Sequence, residues 1–180
     1  FEGKVLPTVD DDPTSDLHPS QVIERPKVIY NEKTGKFVMW MHIESPDYEK
    51  AHAGVAISDS PTGTFTYLGS FKPNGADSRD QTIFKDDDGK AYHICSSEWN
   101  STLYISLLTD HYTKPSGTYV RRFIGQSREA PAVFKRNGHY YMLSSGCTGW
   151  DPNKAKWAVS DSMMGVWELK DNPCLGRDAD

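Results

Sequence analysis

The sequence predicts an all-β fold of the radially repeated kind, assembled from four-stranded units of about 50 residues. Three observations predict it. Gly35, Gly89 and Gly138 close hairpin-like turns that lie 54 and 49 residues apart. An aromatic, β-branched strand follows each turn. No stretch sustains the three- and four-residue apolar spacing of an amphipathic helix. Four-stranded units that repeat at about 40–50 residues read as blades of a β-propeller.

The elements follow in order. First strands lie in Glu24-Arg25-Pro26-Lys27-Val28, Arg79-Asp80-Gln81-Thr82-Ile83 and Arg128-Glu129-Ala130-Pro131-Ala132. The turns Glu32–Lys36, Asp86–Lys90 and Lys135–His139 then place glycine after Thr, Asp or Asn, which supplies the positive φ of a tight hairpin. Second strands are expected at 37–43, 91–96 and 140–144, and third strands at 53–58, 103–108 and 156–160. Fourth strands follow Gly63, Gly117 and Gly165, at 64–71, 118–124 and 166–170. Residues 1–21 read as the tail of another blade, with Phe1-Glu2-Gly3-Lys4 as strand interior and 10–16 as a polar inter-blade loop. Three blades and a tail would leave strand edges and axial core open. Residues 1–180 are therefore expected to be part of one larger propeller domain, with sequence missing at both ends.

Composition narrows the function. Aromatics make up 12% of the 180 residues, including five Trp and nine Tyr, enough for a core and for stacking on a flat ligand such as a sugar ring. A net charge of −5 argues against nucleic acid, whose phosphates need a basic face. No apolar run reaches the roughly 18 residues of a membrane span, and no signal peptide is visible. Of the three cysteines, Cys95 reads as a buried small hydrophobe. Cys147 and Cys174 lie in loop sequence and could pair in an oxidising compartment.

Glu24, Asp80 and Glu129 occupy the same place in successive units, 56 and 49 residues apart. One acid per unit at one position means three acids facing a common axis. Crowded acids raise one another's proton affinity, and a carboxyl kept protonated can act as a general acid. Two carboxyls and a water suffice for inverting glycoside hydrolysis. Ordinary ion pairing is the competing account, because Arg25, Arg79 and Arg128 each neighbour one acid. Adjacent strand residues point to opposite faces, which makes an immediate neighbour a poor partner.

These segments resemble glycoside hydrolase family 43, and within it the exo-β-1,3-galactanase branch. The resemblance rests on Glu24–Val28 with Val38-Met39-Trp40-Met41-His42, on Ser78–Tyr92, on Arg128–Pro131 and on Ser145–Asn153. It covers residues 22–176. It implies a five-bladed propeller that hydrolyses glycosidic bonds with inversion. By motif, Glu129 would be the general acid, Asp80 would tune and orient it, and Glu24 would bind sugar in the cleavage subsite. Tyr48, Asn100, Thr148 and Trp150 would be sugar contacts. The water-activating base would fall outside this sequence, by spacing just past Asp180. The implied substrate is β-1,3-galactan or arabinogalactan side chains. The implied protein is a secreted or periplasmic monomer with no cofactor and no metal. Rival activities are an α-L-arabinofuranosidase or β-xylosidase of the same family, and a non-catalytic carbohydrate-binding propeller.

Other motifs carry less. Asp86-Asp87-Asp88-Gly89 lacks the acid at position 84 that a calcium loop needs, and reads as a solvated hairpin turn. His42 and His93 read as core or pocket-wall residues. Asn100-Ser101-Thr102 is a glycosylation sequon, with a ligand role favoured for Asn100. Trp40, Trp157 and Trp167 are expected in the core. Trp99 and Trp150 lie in loops, where stacking on a sugar and simple loop packing stay equally open.

Overall fold

The computed structural model describes residues 5–175 and is all-β. Twelve strands form three antiparallel sheets among the described residues. Sheet 1 is β1 (Val22–Asn31), β2 (Lys36–Glu44), β3 (His52–Ser58) and β4 (Thr66–Phe71). Sheet 2 is β5 (Gln81–Lys85), β6 (Ala91–Ser97), β7 (Thr102–Leu108) and β8 (Pro115–Arg122). Sheet 3 is β9 (Arg128–Arg136), β10 (His139–Gly146), β11 (Lys156–Ser160) and β12 (Glu168–Lys170). Strands pair in chain order within each sheet, as consecutive hairpins should. Gly35, Gly89 and Gly138 have φ of +67°, +81° and +82°, the conformation the turn reading requires.

The sheets meet through their first strands, β1 against β5 and β5 against β9. Alternation along β2 sets the packing. Val38 and Trp40 face sheet 2 and form one core with Ile83, Ala91, Leu108 and Tyr112. Met39, Met41 and Ile43 face the other way and pack with Phe65. A third core joins Tyr92, Ile94 and Ile105 of sheet 2 to Tyr140, Met142 and Trp167 of sheet 3. Polar locks reinforce these seams. The Trp40 indole donates to the Tyr112 carbonyl (2.7 Å), and Arg122 donates to the carbonyls of Met164 and Gly165 (2.7 Å each).

Several expectations change. Residues 5–21 contain turns but no strand; Val5 and Leu6 pack on the Met39 cluster, and the Val5 carbonyl accepts the Phe65 amide (2.7 Å). The reading of residues 1–4 lies outside the described residues. Asp86 is not solvated: it is buried, accepts from Lys135 Nζ (2.7 Å) and the Tyr140 hydroxyl, and ties sheet 2 to sheet 3. Trp40 and Trp167 are buried as expected, whereas Trp157 is half-buried and stacks on Tyr141 with ring centroids 6.0 Å apart. Cys147 and Cys174 are both free thiols. Among the described residues no helix is long and apolar enough to cross a membrane.

Candidate active site

A cleft of about 450 Å³ gathers Glu24, Asp80 and Glu129 from the three first strands or their leading residues. Tyr48, Asn100 and Trp150 line it, together with Arg25, His42, Arg79 and Gly149. Thr148 is not on this wall. Its hydroxyl donates to the Asp151 carbonyl (2.6 Å) and accepts from Asn153 Nδ2 (2.6 Å), which shapes the loop that carries Gly149 and Trp150. Trp150 is 94% exposed at the rim. Trp99 is also exposed, at 68%, with the Arg79 guanidinium 4.6 Å from its ring centroid.

Two bulges aim the glutamates. The β1–β2 register shifts between Glu24 and Lys27, and the β9–β10 register shifts between Leu143 and Ser145, opposite Ala132 and Glu129. At each bulge the residue after the glutamate is left-handed: Arg25 at φ +52° and Ala130 at φ +48°. A proline follows each, and bulges tolerate a residue without an N–H. A bulge breaks strict alternation. Arg25 therefore turns into the cleft beside Glu24 rather than away from it. This corrects the expectation drawn from strand alternation.

Arg25 does not pair with its chain neighbour. It forks Asp80 of the next unit, Nε to Oδ1 and Nη2 to Oδ2, both 2.8 Å. Asp80 Oδ2 also accepts the Ala130 amide (3.1 Å), which ties Asp80 to the backbone just past Glu129. Arg128 donates to the Ser144 hydroxyl (3.1 Å) and carbonyl (2.7 Å) and so anchors β9 on β10. The ion-pair account thus holds for Asp80, and among the described residues no arginine is hydrogen-bonded to Glu24 or Glu129.

Glu24 is held from behind. Its Oε1 accepts the Tyr48 hydroxyl (3.0 Å) and its Oε2 faces His42 Nδ1 (3.1 Å). The Tyr48 phenol is pushed up, by burial first and by its bond to Glu24 second. Glu129 holds its proton more tightly than an ordinary glutamate. Burial is the main cause and the Asp80 charge the next, with Cys147, Arg25 and Arg128 acting in the opposite sense. The Cys147 thiol is pushed up to about 11, by burial first and then by Glu129. Its Sγ also lies 3.8 Å from the Asn100 carbonyl.

Glu24, His42 and Asp80 bring donor atoms within 4.8 Å of one another, a spacing a cation could use. The Arg25 fork on Asp80 and the His42 contact to Glu24 already supply donors there. These residues therefore read as a hydrogen-bonded acid cluster rather than a metal centre. Sequence reasoning missed Arg25 and Arg79 as parts of the cleft and Cys147 as a neighbour of Glu129, whereas His42 lies on the wall, one of the two places expected for it. The repeated Glu-x-Pro at 24–26 and 129–131 was the available signal for Arg25, since it marks a bulge.

Comparison with known proteins agrees. Residues 9–178 match the family described as glycosyl hydrolases family 43. No curated protein matches the chain. Among solved structures, a family 43 β-1,3-galactosidase solved with galactodeoxynojirimycin is 42% identical at a TM-score of 0.96, over 99% of this chain and 66% of that one. An exo-β-1,3-galactanase from Clostridium thermocellum is 44% identical at a TM-score of 0.82, over 85% of this chain and 37% of that one. An exo-β-1,3-galactanase from Phanerochaete chrysosporium, solved with galactose, is 39% identical at a TM-score of 0.87, over 94% of this chain and 40% of that one. The chain spans less than two thirds of the length of each of these proteins. The chain belongs to glycosyl hydrolases family 43.

Proposed function

We propose that this chain carries the acid side of an inverting exo-β-1,3-galactanase site. One observation carries the reading: three acids from three successive sheets share a cleft of about 450 Å³, and burial and the Asp80 charge raise the proton affinity of Glu129. A protonated Glu129 gives its proton to the glycosidic oxygen as the bond to the anomeric carbon breaks. The water oxygen bonds to that carbon from the opposite face, and its proton passes to a base supplied by another part of the protein. Asp80, fixed by Arg25 and the Ala130 amide, keeps a negative charge near Glu129 and raises its proton affinity. Glu24 presents an anchored carboxylate to sugar hydroxyls. Tyr48, Asn100 and Trp150 line the sugar's path. The galactanase and galactosidase neighbours support galactose as the released unit.

The complete domain in this proposal is a five-bladed propeller. Two apolar surfaces support it. On sheet 1 a second cleft of about 440 Å³ is lined by Val28, Met39, Met41 and Phe65. On sheet 3 Phe134 stacks on Tyr141, with centroids 5.1 Å apart, and Tyr141 on Trp157. Further sheets would cover both. A polysaccharide substrate supports action outside the cytoplasm, and the proposed acting form is a monomer. The test is product analysis on β-1,3-galacto-oligosaccharides with the intact protein. Galactose release supports the reading. Release of arabinose or xylose instead, from arabinan or xylan oligosaccharides, assigns another family activity. Binding without any product assigns a non-catalytic propeller.

A further inference from the structure

We propose that His42 is a doubly protonated positioning residue, an imidazolium clamped between two carboxylates that fixes Glu24 in the sugar cleft. The inference rests partly on the hydrolytic reading above, because it assigns the group that orients that site's sugar-binding carboxylate.

The geometry begins with strand alternation. His42 and Glu44 lie two residues apart on β2 and so share a face. Glu24 is the direct cross-strand partner of His42. The ring bridges them: Nδ1 lies 3.1 Å from Glu24 Oε2, and Nε2 lies 3.1 Å from Glu44 Oε1. His42 is 3% exposed and Glu44 is 0% exposed, so the contact between them is dry, whereas Glu24 reaches into the cleft. A neutral imidazole has one donor and one acceptor nitrogen, and an ionised carboxylate only accepts. A neutral ring would therefore set a bare nitrogen against a carboxylate oxygen. Two ring protons satisfy both contacts.

The surroundings supply further hydrogen-bond donors to both glutamates. Glu44 Oε1 also accepts from Arg79 Nη1 (2.9 Å), and its Oε2 accepts the Lys50 amide (3.0 Å). Glu24 accepts the Tyr48 hydroxyl. Asp80 is the third carboxylate near the ring, and Arg25 forks it. Glu24, Glu44 and Asp80 against Arg25 and Arg79 leave one negative charge, which the imidazolium neutralises. Buried charges persist when paired and hydrogen-bonded in this way. Arg79, just before sheet 2, is thus linked to Glu24 through Glu44 and His42 in turn, and Glu24 has one oxygen fixed by His42 and the other by Tyr48.

Two measurements on the intact protein test this. Nitrogen NMR of labelled protein at neutral pH should show a directly bonded proton on both His42 ring nitrogens. An unprotonated ring nitrogen overturns the proposal. Kinetically, His42→Gln should lower kcat/KM about 100-fold, the scale of a roughly 1 Å misplacement. Glu24→Gln combined with His42→Gln should be no worse than Glu24→Gln alone, within about two-fold, because coupled residues are not additive. Losses that multiply would assign His42 a merely structural role and overturn the positioning claim. If His42→Gln does not fold, the ring-nitrogen signals decide. The hydrolytic reading fails separately, through full activity of Glu129→Gln, and the ring signals then still report whether the clamp exists.

Discussion

The guanidinium of Arg25 forks the carboxylate of Asp80 through two 2.8 Å hydrogen bonds between residues 55 positions apart. This pair joins the first unit to the second at the mouth of the cleft. Asp80 then joins the third unit through the Ala130 amide. Asp80 is only 13% exposed, so the fork acts in a partly dry site where charge matters more than at a surface.

The two partners act on Glu129 with opposite sign. Asp80 raises its proton affinity and Arg25 lowers it. The alkaline limb of the pH–rate profile reports the general acid. Asp80→Asn should move that limb to lower pH, and Arg25→Gln to higher pH, each by about half to one unit. Both should also lower kcat at the optimum. Shifts of the same sign in both variants would contradict the assignment.

Removing the Glu129 carboxyl should not destabilise the protein. Its proton affinity is raised by burial, so the folded state holds the ionised form less favourably than the unfolded chain does. The contribution to stability is full at acid pH and is lost as pH rises through the raised value. At pH 7 Glu129→Gln should therefore melt at the same temperature or up to about 3 °C higher. Below pH 4 the difference should shrink. Thermal melts at the two pH values check this.

Cys147 should be a slow thiol despite its exposure. It is pushed up to about 11 by burial and by Glu129. Thiolate is the reactive form. Iodoacetamide at pH 7.5 should leave Cys147 largely unmodified by peptide mass spectrometry. The Glu129→Gln variant should label several-fold faster, because the opposing carboxylate is gone. Equal rates would separate the two side chains.

Gly54 marks the tightest packing of sheet 1. A methyl group built there would sit 2.6 Å from Ile43 Cγ1 and 3.1 Å from Met41 Cγ. Gly54→Ala should cost about 1–3 kcal/mol through overpacking. Denaturant unfolding measures it, and Ile43→Val in the same chain should recover part of the loss.

The repeat was legible because hairpin glycines and alternating apolar residues are local signals. Gly35, Gly89 and Gly138, and the faces of β2, follow from them directly. The convergence of Glu24, Asp80 and Glu129 was legible because they hold equivalent positions in three successive sheets whose first strands meet. Arg25 was misread because alternation fails at a bulge, although Pro26 stood beside it as the clue. Glu44 and Arg79 were invisible for another reason. Their pairing crosses from sheet 1 to sheet 2, and residue type alone does not reveal a buried charge pair 35 positions apart. Asp86 hid inside a turn motif that usually faces water.

The most direct test is proton NMR of β-1,3-galactotriose hydrolysis by the intact protein and its Glu129→Gln variant. The account predicts galactose that appears first as the α-anomer from the intact protein and at least 1,000-fold less product from the variant, in line with loss of a general acid. Undiminished galactose release by Glu129→Gln would contradict it.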